Sequence, residues 1–400
     1  MSTTSQLINE INNTYHASKQ EKYNTLTKLI SVNPAENSYI VSLYNNPSPC
    51  LLNTSYDKDW PAFSAVVSSF VKLCTEMDPW SLLQSFDLYT TYLNDLSIAF
   101  NNSKYGWLLT GVLKSTIEIV TQWALQLDTQ MFFKESGAKY RLNYIASVIL
   151  KMFNNIRINS NDRESIMLYL GNKLCFIYWK LDNPLLCRNI FSNMNNTSLK
   201  LADFPMNEQL KYRYYLARYY FIKYELMESF ELLKWCLLRT HGKNQRLVLE
   251  LFIPISLVIG KTPNFAAFKK YDFINMYEEM SRSIQPGDLA TFRSLVAKYH
   301  HYLKSKSLLL LMNKMEILIY RNLIKNCWKI LGRQTTLPYN LVPIPKDIYF
   351  KENLFVTLID SNLIKGKLTN RSVVLSKNDP FPRVFDIYMK RFKTKHNQWM

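Results

Sequence analysis

Along most of the chain apolar residues recur every three or four positions, the period of a helix with one face turned inward. Residues 1–59 are rich in Asn, Ser and Thr and predict one or two modest helices, best in LINEINNTYHASKQEKYNTLTKLI. Asp59-Trp60-Pro61 predicts a cap and a helix start. Over 60–205 five amphipathic stretches follow with short breaks: AFSAVVSSFVKLCTEM, SLLQSFDLYTTYLNDLSIAF, WLLTGVLKSTIEIVTQWALQL, YRLNYIASVILKMFNNI and ESIMLYLGNKLCFIYWKL. Each stripe is wide enough to pack on two neighbours, as in stacked helical hairpins.

The stretch 206–306 is more specific. EQLKYRYYLARYYFIKYELMESFELLKWCLLRTH predicts a helix carrying Tyr215, Ala217, Tyr219, Tyr220 and Phe221, then a turn near Tyr224 to Leu226. A second helix carries Phe230, Leu233, Trp235 and Leu238. Small and aromatic residues at the contact match one tetratricopeptide-like unit. The tyrosines exceed what one buried stripe needs, so they form either a tyrosine-rich core or a groove whose rings anchor a peptide. NQRLVLELFIPISLVIGKTPN and DLATFRSLVAKYHHYLKS then lead without a linker into residue 307, so one rigid body is expected.

Residues 307–378 read as a winged helix. The helical run SLLLLMNKMEILIYRNLIKNCWKILGR places Leu308, Leu311, Met315, Leu318, Leu323 and Trp328 at helical spacing. Pro338, Pro343 and Pro345 break LPYNLVPIPKDIYF. KENLFVTLIDSNLI returns to helical period, and IKGKLTNRSVVLS predicts two short strands around Thr369, Asn370 and Arg371. A basic tail, 379–400, follows. The expected fold is all-α: a right-handed stack of tetratricopeptide-like helical hairpins ending in a winged helix with a small β-hairpin. Only 9 Gly and 15 Pro in 400 residues agree with helices rather than glycine-turned sheets.

Charge changes the picture. Residues 1–200 hold 17 Lys and Arg against 15 Asp and Glu, whereas residues 201–400 hold 32 against 16. A surplus confined to one half points to an anionic partner, either nucleic acid or a strongly acidic protein segment, or else to a basic solubilising face. Cys50, Cys74, Cys175, Cys187, Cys236 and Cys327 are far apart, with no CxxC pair, and read as free thiols in a reducing compartment. MSTTSQLINEINN has no signal-peptide pattern, and LVLELFIPISLVIG is too short for a membrane span, so cytoplasm or nucleus is expected and no membrane partner. The histidines His16, His241, His300, His301 and His396 fit no HExxH, and neither GxxxxGK[ST] nor GxGxxG occurs. Catalysis, a metal site and a cofactor are therefore not expected.

Four ordered motifs carry a resemblance: YRYYLARYYF, LLKWCLLRTHGKNQRLVLELFIPISLVIGKTP, NKMEILIYRNLIKN and VVLSKNDPFP. Over roughly Asn207 to Arg383 they resemble the PCI-domain family, named for proteasome lid, signalosome and initiation factor subunits. Within it they are similar to the branch of signalosome subunit 12 and the PCI subunit of the transcription-export complex. The resemblance implies a non-catalytic scaffold that pairs with another PCI protein and with a small acidic disordered subunit shared with the proteasome lid. It implies a nuclear complex, also reaching the cytoplasm, that links transcription to messenger-RNA processing. The alternatives are the nuclear-pore-associated export complex and a signalosome scaffold for ubiquitin-like deconjugation.

Three candidate surfaces follow. Tyr215, Tyr219, Tyr220 and Trp235, with Lys211, Arg213, Arg218 and Lys223, are expected to hold the acidic partner. Val373 and Leu375 are either a strand edge that docks the PCI partner or core residues of the wing. Lys314, Arg321, Lys325 and Lys329, spaced by 7, 4 and 4, share a helix face; Arg333, Lys351, Lys365, Lys367 and Arg371 extend it. This set either contacts RNA or DNA phosphates or is a solvated face in which Lys314 and Arg321 balance Glu316 and Asp360.

Overall fold

The computed structural model describes residues 3–47, 53–158 and 163–392. Cys50, His396 and residues 393–400 of the basic tail lie outside the described residues. Two compact units divide between Tyr212 and Arg213.

The first unit contains α1 (Thr3–Asn13), α2 (Lys19–Leu29), α3 (Tyr39–Asn45), α4 (Ala62–Glu76), α5 (Leu82–Ala99), α6 (Thr110–Gln130), α7 (Tyr140–Ile158), α8 (Met167–Lys180) and α9 (Cys187–Asn195). From α4 onward each helix packs on the next. In α4 the reason is plain: Phe63, Val66, Val67, Phe70, Leu73 and Cys74 fall at helical spacing and are all buried. Trp60 anchors this start by donating its indole N–H to the Ala99 carbonyl at 2.8 Å.

Asp59 does not cap α4, whose N-cap is Pro61 without a side-chain bond. Its carboxylate instead takes Lys104 Nζ at 2.9 Å and the hydroxyls of Tyr15 and Tyr105. The Lys104 hydrogen bond and charge hold the Asp59 carboxyl below the usual range. A carboxyl depressed by folding adds stability above its unfolded pKa, and that stability disappears as pH falls through the folded value. Urea midpoints measured between about pH 5 and pH 2 should therefore fall less steeply for Asp59→Asn than for the parent chain. Parallel curves would remove Asp59 from the acid response.

The division between the units falls inside α10 (Met206–Ile222). The second unit continues with α11 (Leu226–Leu237), α12 (Gly242–Val258), α13 (Ile274–Ile284), α14 (Leu289–Lys298), α15 (His300–Ser305) and α16 (Leu309–Ile330). The turn between α10 and α11 falls where expected, with Tyr224 left-handed at φ 59°. Ser229 Oγ donates to the Ala217 carbonyl at 2.8 Å, a close approach that the small buried Ala217 allows. Gly287 has φ +90°, and a Cβ there would stand 2.5 Å from the Leu323 amide nitrogen. Only glycine lets this turn lie on α16, where Asn322 Nδ2 donates to Ile284 O at 2.9 Å and Asn326 Nδ2 to Pro286 O at 3.0 Å.

The winged helix adds β1 (Thr336–Pro338), α17 (Ile348–Asp360), β2 (Gly366–Leu368), β3 (Ser372–Leu375) and α18 (Val384–Arg391). The predicted hairpin is β2–β3, but the antiparallel sheet has three strands in the order β1-β3-β2. Leu337, Val373 and Leu368 pair across it, as do Thr336, Val374 and Lys367. The first row faces the core of α16 and α17, with Leu318, Ile324, Leu354, Phe355 and Leu358. The expected docking edge is thus corrected: β3 is the central strand, and Val373 and Leu375 are buried at 0% and 3% exposure. Both hydrogen-bonding sides of β3 are already occupied.

Candidate functional site

The basic set splits by burial. Arg321 is 4% exposed. Its Nε donates to Leu363 O at 3.1 Å, and Nη2 donates to Phe381 O at 3.2 Å and Pro382 O at 2.6 Å. Burial pulls its pKa below the usual guanidinium value. Lys351 is equally internal, donating from Nζ to Val342 O at 2.9 Å and Tyr339 O at 3.2 Å. Neither residue belongs to a phosphate-facing surface, and neither forms an ion pair among the described residues. Glu316 is taken by Arg293 at 2.7 Å.

Arg321, covered by the Leu363 and Pro382 segments, interrupts the helix row. On its N-terminal side Lys314 stands 3.8 Å from the centre of the Tyr224 ring, in a groove shared with Thr357, Tyr388 and Arg391. On its C-terminal side Lys325 and Lys329 lie one turn apart, with Arg333 beyond the helix end. Burial depresses the Lys325 pKa first, and the charges of Arg321, Lys329 and Arg383 depress it further against an opposing pull from Asp379. Lys365 is partly neutralised by Asp379 at 3.6 Å. Lys367 projects on the solvent side of the sheet, and Arg371 is exposed in the β2–β3 turn. Lys329, Arg333, Lys367 and Arg371 have no ion pair among the described residues.

The tyrosine candidates are half-buried rather than wholly inside or outside. Tyr214 meets Tyr215 edge-on at 5.8 Å, and Tyr219 and Tyr220 tilt together at 6.0 Å. The guanidinium groups of Arg213 and Arg239 each stand 4.2 Å from the Trp235 ring centre. Arg218 lies over Tyr214, and Lys223 is exposed. Lys211 belongs to the first unit, where it pairs with Glu208 at 2.9 Å. Sequence reasoning missed Arg239, although its place one turn after Trp235 signals it, and Arg383, which only the folded chain brings beside Lys325.

Among the described residues no group of three His, Cys, Asp or Glu side chains is placed to hold a metal ion. Cys74, Cys175, Cys187 and Cys236 are buried free thiols, and Cys327 is a half-buried one. No described helix is long and apolar enough to cross a membrane.

Arg321 also joins two of the four motifs: it sits within NKMEILIYRNLIKN and binds the carbonyls that end VVLSKNDPFP. No protein-family model matches the chain. Individual proteins do. The chain is 26% identical over 308 residues to the nuclear mRNA export protein THP1 of Saccharomyces cerevisiae, covering 70% of this chain and 68% of that protein. It is 24% identical over 408 residues to a PCI domain-containing protein of Schizosaccharomyces pombe, covering 90% of each. Several of the relatives are named PCI domain-containing proteins. A third, the CSN12 homolog of Schizosaccharomyces pombe, is 24% identical over 269 residues, 62% of this chain. The PCI-type architecture of a helical array ending in a winged helix is the one described above, with a third strand added to the expected hairpin.

Proposed function

We propose that this chain is a non-catalytic PCI scaffold of a nuclear complex that couples transcription to messenger-RNA export. In that complex it pairs with another PCI protein, holds a small acidic subunit and contacts nucleic acid. The export type is preferred over the CSN12 type because the match to the export protein spans more of the chain, 70% against 62%. The observation that carries the nucleic-acid part is the unpaired cationic rim of the winged helix, Lys329, Arg333, Lys367 and Arg371. These side chains come from a helix end, a loop, an outer sheet face and a turn. Such a surface suits phosphate contact more than base reading. The acidic subunit is assigned to Trp235 and its two guanidinium neighbours, with Tyr215, Tyr219, Tyr220, Arg218 and Lys223 beside them. Aromatic faces would take its apolar side chains and the cations its carboxylates.

The test is purification of the tagged chain from cells, followed by RNA binding at several salt concentrations. A second PCI protein and a small acidic subunit should copurify. Replacing Tyr215, Tyr219, Tyr220 and Trp235 together by alanine should release only the acidic one. Replacing the four rim cations by glutamate should flatten the log–log salt dependence by about 0.7 per lost contact on single-stranded RNA. Unchanged RNA binding, alone and in the complex, would leave the rim without a nucleic-acid role.

A further inference from the structure

We infer that a cleft in the second unit binds a small phosphorylated anion. It has a volume of about 290 Å³ and opens between the end of α12, α13, the middle of α16 and the start of α18. Besides Arg321, whose guanidinium is taken by backbone carbonyls, three cationic side chains line it from separate elements: Lys261 after α12, Lys325 on α16 and Arg383 before α18. Charges on one helix face are ordinary, but charges from three elements turned into one concavity are not. None of the three has an ion pair among the described residues, and Asp386 is the one carboxylate in the lining. Lys261 is held without a carboxylate, its ammonium 4.0 Å from the Phe385 ring centre.

A second observation concerns neutral donors. Ser281 borders the cleft and is 4% exposed. The Thr262 hydroxyl lies on the same wall as Lys261. Hydroxyl and cationic donors around a space of this size fit a phosphate ester or short polyphosphate better than an apolar ligand. The Lys325 pKa is depressed first by burial and then by Arg321 and Lys329, with Asp379 opposing and Arg383 adding to the shift, so positive charge dominates around it. Lys329, Arg333, Lys367 and Arg371 do not line the cleft, so this site stands apart from the wing rim.

Isothermal titration of the full chain with inorganic tripolyphosphate in low-salt buffer tests the site, with inorganic phosphate as the smaller comparison. One saturable site is expected for tripolyphosphate. Lys325→Gln with Arg383→Gln should weaken it by about tenfold or more, since each removes a charge-assisted bond. Lys261→Gln, exposed and on a separate element, should weaken it as well and decides the matter if the double variant is misfolded by circular dichroism. Lys377→Gln should leave binding unchanged, and RNA affinity should be the same for all cleft variants. No saturable binding, or an equal loss for Lys377→Gln, overturns the proposal. So does stoichiometric displacement of tripolyphosphate by a short RNA accompanied by loss of RNA binding in the cleft variants, because the cleft would then be part of the nucleic-acid surface.

Discussion

Val373→Asp is expected to unfold the winged helix. Val373 is fully buried in the central strand, between Leu337 of β1 and Leu368 of β2. A carboxylate there has no cationic partner among the core residues around it, and burying it costs on the order of several kcal/mol. Even protonated, it would displace packed apolar atoms. Val374→Asp makes the contrast. Val374 is 39% exposed on the outer face, opposite Lys367, so a change within about 0.5 kcal/mol is expected. Limited proteolysis with mapped cleavage sites, together with urea denaturation, reads both. New cuts across 309–391 should appear for Val373→Asp alone. A Val373→Asp chain as resistant as the parent would mean that Val373 does not sit in the core.

Arg321→Ala should be nearly as damaging, by roughly 3–5 kcal/mol, from the three carbonyls of Leu363, Phe381 and Pro382 that lose a charged donor and from the cavity left behind. Arg321→Lys should recover only a fraction, because one ammonium cannot reach carbonyl acceptors that lie on two separate segments. Urea midpoints of the three chains, with their slopes compared, give the result. Equal midpoints for alanine and arginine would make the clamp dispensable. The effect on partner binding is expected to follow stability rather than charge, unlike substitutions at Lys329 or Arg371.

How much of this was legible in the sequence depends on the length over which a signal repeats. The stripes of α4 to α8 span 14 to 21 residues each, enough for helical period to declare itself, and those helices lie where the pattern predicts. β1 is three residues ending in Pro338, too short to alternate, and its pairing with β3 is a tertiary fact. Without it, β3 can read as an edge, and Val373 stays open between a docking edge and the core of the wing. Arg321 failed differently. Spacing correctly puts it in line with Lys325 and Lys329, but spacing says nothing of the loop and Pro-Phe-Pro segment that fold over that turn. Asp59 has the chemistry of a cap, and its carboxylate was drawn away by Lys104, 45 residues later. Of the candidate surfaces, the wing cations Lys367 and Arg371 were readable from the hairpin alone, whereas Arg383 and Lys261 enter the cleft only through the approach of α18 to the end of α12.

Lys351 carries a consequence for covalent modification. Its ammonium is enclosed by the carbonyls of Tyr339 and Val342, while Lys329, Lys365, Lys367 and Lys377 of the same module are exposed. Lysine-modifying enzymes need the side chain extended into their own active sites, so the folded winged helix is closed to them at this one position. Acetyl or ubiquitin groups on the exposed lysines can come and go throughout the life of the protein. A group found on Lys351 was added to a chain whose winged helix was open, and its occupancy in cells therefore counts the fraction that passed through that state.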